Sequence, residues 1–97
     1  MIEVRQTTVY AEWFEHLRDR QAQARINIRI RRLSLGNFGD AKFLGGGIGE
    51  LRVGYGPGYR VYFMRRGEKT VILLCGGDKR SQAGDIRTAK ALAKEEG

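Results

Sequence analysis

The chain reads as an α+β protein, a small and mainly antiparallel sheet of about four strands packed against an N-terminal helical hairpin and closed by a C-terminal helix. Three observations predict it. Two stretches with helical apolar spacing, residues 9–18 and 19–35, follow one another near the N-terminus. Three strand-like stretches, 50–55, 59–65 and 70–75, are separated only by GPG at 56–58 and RGEK at 66–69, and such short turn-like joints favour an antiparallel meander. VILLC at 71–75 is apolar at every position, so that strand should be central or covered on both faces.

In chain order, IEVRQT at 2–7 alternates as a short first strand, with Ile2 and Val4 on one side. VYAEWFEHLR at 9–18 sets Tyr10, Trp13, Phe14 and Leu17 along one helical face, opened near Thr7 or Thr8. The second helix, Asp19 to Leu35, buries Ala22, Ile26, Ile30 and Leu33, and Arg18 to Arg20 leaves room only for a tight turn. GNFGDAKFLGGGIG at 36–49 has six glycines and no apolar period, so it is expected to be a loop. Gly36 suits the residue after a helix, where positive φ is common. The closing helix, Ala83 to Glu95, turns Ile86, Ala89 and Leu92 or Ala93 inward and Arg87, Lys90 and Lys94 outward.

A length of 97 residues favours one domain spanning 1–97. With 41% apolar and 30% charged residues the composition is that of a folded protein. No apolar run is long enough to span a membrane, and MIEVRQTTVY has no apolar run after a basic start, so a secretory signal peptide is not expected. Cys75 is the single cysteine, which excludes an internal disulfide and fits a reducing cytoplasm. No His, Cys or carboxylate cluster has metal-ligand spacing, and the glycines at 45–47 lack the Lys and Ser or Thr of a nucleotide phosphate loop, so neither metal nor cofactor is expected. The net charge is +7, and 13 of the 18 basic residues are arginine. Arginine's planar fork matches phosphate, which points to nucleic acid or a ribonucleoprotein; an acidic protein partner is the alternative.

Strand parity locates the charge. Leu51, Val53 and Tyr55 share one face and Glu50 and Arg52 the other; in the next strand Tyr59, Val61 and Phe63 oppose Arg60, Tyr62 and Met64. If the apolar face packs on the helices, Arg52 and Arg60 emerge together beside Tyr62. Two arginines on adjacent strands can grip one phosphate, and Tyr62 could stack on a base or offer its hydroxyl. The plainer alternative pairs these arginines with Glu50 or Glu68 on a solvated face. CGGDKRSQAGDI at 75–86 would bring Lys79 and Arg80 to the end of the last strand, with Ser81 and Asp85 as caps or local partners. Arg25, Arg29 and Arg32 recur at helical spacing as a basic outer stripe, while His16 reads as a packing or partly exposed residue.

The segments GNFGD at 36–40, GIGELRV at 47–53, GPGYRVYF at 56–63 and GGDKRSQAGDI at 76–86 together resemble the phage Gp49-like, HigB-like addiction module killer branch of the RelE/ParE toxin superfamily. The resemblance covers almost the whole chain. It implies a toxin neutralised by an adjacently encoded helix-turn-helix antitoxin and, in ribosome-dependent members, cleavage of messenger RNA in the decoding site. Arg60 matches the strand arginine that such toxins use for phosphate and transition-state charge. Arg52 matches a basic position on the preceding strand, and Lys79 or Arg80 falls near the basic residue after the last strand. Ile86 stands where many relatives carry Tyr or His, which leaves Lys79 or Glu50 for proton transfer.

The expected chemistry is metal-free attack of the ribose 2′-hydroxyl on the adjacent phosphorus, giving a 2′,3′-cyclic phosphate and a 5′-hydroxyl. Catalytic roles fall to Arg60, Arg52, Lys79 and Glu50, and substrate contacts to Arg80 and Tyr62. Two alternatives stay open: a gyrase-poisoning toxin, and a noncatalytic basic module binding RNA or protein.

Overall fold

A computed structural model describes residues 1–96; Gly97, the last position of the expected domain, lies outside the described residues. The elements are β1 (Glu3–Gln6), α1 (Thr8–Glu15), α2 (Arg20–Ser34), β2 (Ala41–Gly45), β3 (Ile48–Val53), β4 (Tyr59–Arg66), β5 (Thr70–Gly77) and α3 (Gln82–Glu96). Thr7 joins the first two to the sheet. Its side chain accepts from the Tyr10 N–H as an N-cap, its hydroxyl donates to the Leu74 carbonyl, and its N–H donates to Leu73. Asp19 caps α2 in the same way, accepting from Gln21 and Ala22.

The sheet has five strands in the order β1-β5-β4-β3-β2, one more than expected. β1 runs parallel to β5, and the remaining neighbours are antiparallel. The additional strand is β2, inside the glycine-rich segment expected to be a loop. Gly45, Gly46 and Gly47 all have positive φ and form the reversal between β2 and β3. The glycines therefore supply turn geometry for a hairpin, and β3 begins at Ile48.

Both faces of the sheet are covered. On one, Leu51, Val53, Val61, Phe63, Val71 and Leu73 pack with Tyr10, Ile26 and Leu33 of the helical hairpin. On the other, Tyr62, Ile72, Leu74 and Cys75 pack with Ala89 of α3, flanked by Ile86, Leu92 and Ala93. The all-apolar β5 is thus sandwiched between two helical layers, as its composition predicts. A register shift between Tyr62 and Phe63 lets β5 place Leu74 and Cys75 in succession on the α3 side. No helix among the described residues is long and apolar enough to cross a membrane.

Cys75 lies under α3, and burial, reinforced by the charge of Asp85, pushes its thiol up to about 12. The unfolded chain therefore loses this proton first as pH rises, so the group opposes folding progressively from about pH 9 to about pH 12. Iodoacetamide at pH about 8.5 should modify the native thiol at least about 100-fold more slowly than the urea-unfolded thiol. Equal labelling rates in the two states, read by mass spectrometry, would contradict this burial.

Candidate phosphate-binding site on the second sheet face

β4 is the middle strand, and its first turn of sequence sets the site. Arg60 pairs across the sheet with Arg52 of β3 on one side and Gly77 of β5 on the other. The two arginines therefore share one cross-strand row and one face, as parity predicts. Like charges placed directly opposite repel, and each arginine has its own carboxylate.

Arg60 is held from below by Glu50. Its Nε lies 3.7 Å from Glu50 Oε2, and its side chain is only 13% exposed. The same oxygen accepts from the Tyr62 hydroxyl at 2.9 Å and from Gln82 Nε2, at the start of α3, at 2.8 Å. Glu50 is itself 1% exposed. Its carboxylate thus gathers two hydrogen-bond donors and the Arg60 guanidinium, from β4 and α3, around one oxygen. At 3.7 Å the Arg60 contact is an ion pair without a hydrogen bond, and Nε is buried with no hydrogen-bond partner. An unsatisfied buried donor is costly in a finished core. Here it sits on the half-buried arginine of β4, ahead of Tyr62 and Met64 on the same face, while Arg65 and Arg66 at the far end of the strand are exposed.

Arg52 is more open. Its Nε and Nη2 both donate to Asp40 Oδ1, at 3.1 and 2.9 Å, with the arginine 40% and the aspartate 61% exposed. Of the anticipated pairings, that of Arg60 with Glu50 forms, whereas Arg52 pairs with Asp40 and with neither Glu50 nor Glu68.

Gly77 makes room beside Arg60. A side chain there would begin 1.8 Å from Asp85 Oδ2 and 2.7 Å from Ser81 Oγ, so only glycine lets the start of α3 close on the strand end. Asp78 folds the connecting loop by accepting from the Arg80 and Ser81 N–H groups, and the Ser81 carbonyl accepts from the Asp85 N–H. Ser81 and Asp85 are local partners, the Ser81 hydroxyl donating to Asp85 Oδ2 and accepting from the Asp78 N–H. Lys79 and Arg80 are exposed on this loop. The Lys79 Cβ stands 3.5 Å from where a Gly58 side chain would begin, which puts its stem against the turn leading into β4.

Tyr62 corrects an expectation. It occupies the face that parity assigns to it, yet α3 covers it completely, leaving no ring surface for a base. Burial, and then the hydrogen bond to Glu50, raise its phenol well above the ordinary range. Glu50 is likewise sealed, with Oε2 accepting two hydrogen bonds, so its geometry is that of an anchor. The α2 stripe also divides. Arg25 lies over the Tyr55 ring at 4.6 Å, whereas Arg29 turns inward and donates to the carbonyls of Phe38, Asp40 and Arg52. Asp40 and Gln82, absent from the sequence-derived set, complete the site.

A separate groove of about 560 Å³ between the β2–β3 turn and the end of α3, bordered by Lys90 and Lys94, contains none of these groups. No set of three His, Cys, Asp or Glu side chains among the described residues gathers as a metal site would require. The chemistry on offer is a cross-strand guanidinium pair, with Lys79 and Arg80 exposed on the loop that follows β5, groups of the kind that bind phosphate.

Residues 12–95 match the family described as phage derived protein Gp49-like (DUF891). The chain is also 49% identical over 96 residues to an uncharacterized protein of Haemophilus influenzae strain Rd, covering 99% of this chain and 97% of that one.

Proposed function

The chain belongs to the phage-derived Gp49-like family, and from that premise we propose that it is the toxin of a type II toxin–antitoxin pair, HigB-like within the RelE/ParE superfamily, which cleaves messenger RNA on the ribosome. The observation that carries this reading is Arg60, a nearly enclosed guanidinium anchored by Glu50, with an unpartnered Nε and a second arginine in register beside it.

RNA brings its own nucleophile. Attack of the ribose 2′-oxygen on phosphorus expels the 5′-oxygen of the next nucleotide; the 2′ proton passes to solvent water, and the Lys79 ammonium, recharged from solvent, protonates the leaving oxygen. The protein's part is to hold the phosphate in line and to stabilise the charge that grows on its nonbridging oxygens, the work of preorganised donors. Arg60 does this from a fixed position, and Arg52 adds a second fork. Lys79, exposed at the mouth of the row, neutralises charge near the leaving group, and Arg80 holds the neighbouring backbone. Glu50 acts through Arg60 by fixing its orientation. The ribosome aligns the message, supplying orientation that a chain of 97 residues does not provide alone.

Brief induction in growing cells, followed by mapping of transcript 5′ ends and their end chemistry, tests the reading. New 5′-hydroxyl ends within translated regions, with cyclic phosphate partners, are expected within minutes. Arrested growth with broken DNA and unchanged RNA ends would replace the nuclease with a gyrase poison.

A further inference from the structure

The two carboxylates facing the arginine row differ in kind. Glu50 is enclosed and bound by Tyr62 and Gln82 as well as Arg60. Asp40 is 61% exposed, and Arg52 is the side chain that its carboxylate engages. The first is built in; the second is held only by an ion pair in contact with water, and such pairs are weak. We propose that Asp40 is an exchangeable counter-ion occupying a phosphate subsite of Arg52, and that an RNA phosphate displaces its carboxylate when substrate binds.

The backbone around Asp40 supports exchange without unfolding. The Asp40 carbonyl accepts from the Arg52 N–H at 2.9 Å and from Arg29 Nη2 at 3.1 Å. Arg29 also donates to the Phe38 and Arg52 carbonyls. The segment and the strand are thus fastened through main-chain oxygens, and the Asp40 side chain can swing away while Arg52 stays in register with Arg60. Both carboxylate hydrogen bonds come from Nε and Nη2 to a single oxygen, an arrangement that a phosphate oxygen reproduces. In the free protein the carboxylate offsets the repulsion between the paired arginines. In the complex the phosphate takes over that role.

The inference rests on the phosphate-binding part of the reading above, and its test does not require cleavage. The probe is a short 2′-O-methyl oligoribonucleotide, whose blocked 2′ oxygen prevents reaction, titrated against the full chain over a range of salt. Asp40→Asn should bind about threefold more tightly at low salt, and the plot of log affinity against log salt should steepen by about 0.7. Asp40→Ala should behave at least as strongly. In an Arg52→Ala background the Asp40→Asn gain should vanish, because no guanidinium remains to be released. A gain that persists without Arg52 would reduce the effect to net charge and overturn the proposal, as would affinity that is unchanged or weakened in both Asp40 variants. Should the binding results hold while induced cells show no new RNA ends, the subsite stands and the nuclease reading fails.

Discussion

Arg60→Ala is expected to reduce the proposed messenger RNA cleavage by about 100- to 1,000-fold and to abolish growth arrest, while the chain still folds and still captures the proposed antitoxin. The magnitude is that of removing one preorganised donor from a site where charge develops in the transition state. Two features make the experiment interpretable. Arg60 is tied to Glu50 by an ion pair at 3.7 Å without a hydrogen bond, so its removal costs less than the about 3–5 kcal/mol of breaking a hydrogen-bonded buried pair. Glu50 also keeps its two hydrogen bonds, from Tyr62 and Gln82, when the guanidinium is gone. Arg60→Lys serves as the second variant: it retains charge and loses the fork, so its activity should fall between wild type and alanine. Cleavage is read by transcript 5′ ends, folding by thermal melting and antitoxin capture by co-purification. Wild-type cleavage by a folded Arg60→Ala chain would remove the central assignment.

How the sequence discloses this site depends on the range of each interaction. Arg52 and Arg60 were placed on one face by strand parity, because alternation is a local property and the GPG turn at 56–58 limits the register. The helical stripes were legible for the same reason, with Ala22, Ile26 and Leu33 fully buried as their spacing implies. β2 was hidden because a strand of five residues bearing Lys42 and ending in Gly45 carries little period of its own. Its identity comes from pairing with β3. Parity assigns Tyr62 to its correct face but not to its environment, since alternation identifies a face and cannot say what covers it. α3 arrives there from the far end of the chain. Asp40 reaches Arg52 across 12 positions and Gln82 reaches Glu50 across 32. Neither partnership leaves a local pattern, although an Asp in a glycine-rich segment and a Gln at a helix start are the residues to inspect once the arginine row is known.

Glu50→Ala should have the largest effect on stability. The variant strands the Tyr62 hydroxyl beneath α3, leaves the part-buried Gln82 amide at the start of that helix without its acceptor, and leaves Arg60, 13% exposed, without its counter-charge. Removing one member of a buried pair costs about 3–5 kcal/mol, and a domain of this size loses roughly 4–8 °C of melting temperature per kcal/mol. Glu50→Gln keeps an acceptor for Tyr62 and Gln82 and should lose less, while Tyr62→Phe removes one donor and should cost about 1–2 kcal/mol. The series separates an anchor from a proton acceptor. If Glu50 removed the 2′ proton, Glu50→Gln would abolish cleavage at nearly wild-type stability, and Tyr62→Phe would leave cleavage intact. Because Tyr62, Gln82 and Arg60 all meet at one carboxylate oxygen, an anchor requires cleavage and melting temperature to fall together across the series, with Glu50→Ala lowest in both. Thermal melts and single-turnover cleavage on ribosomes, measured on the same preparations, read the two quantities side by side.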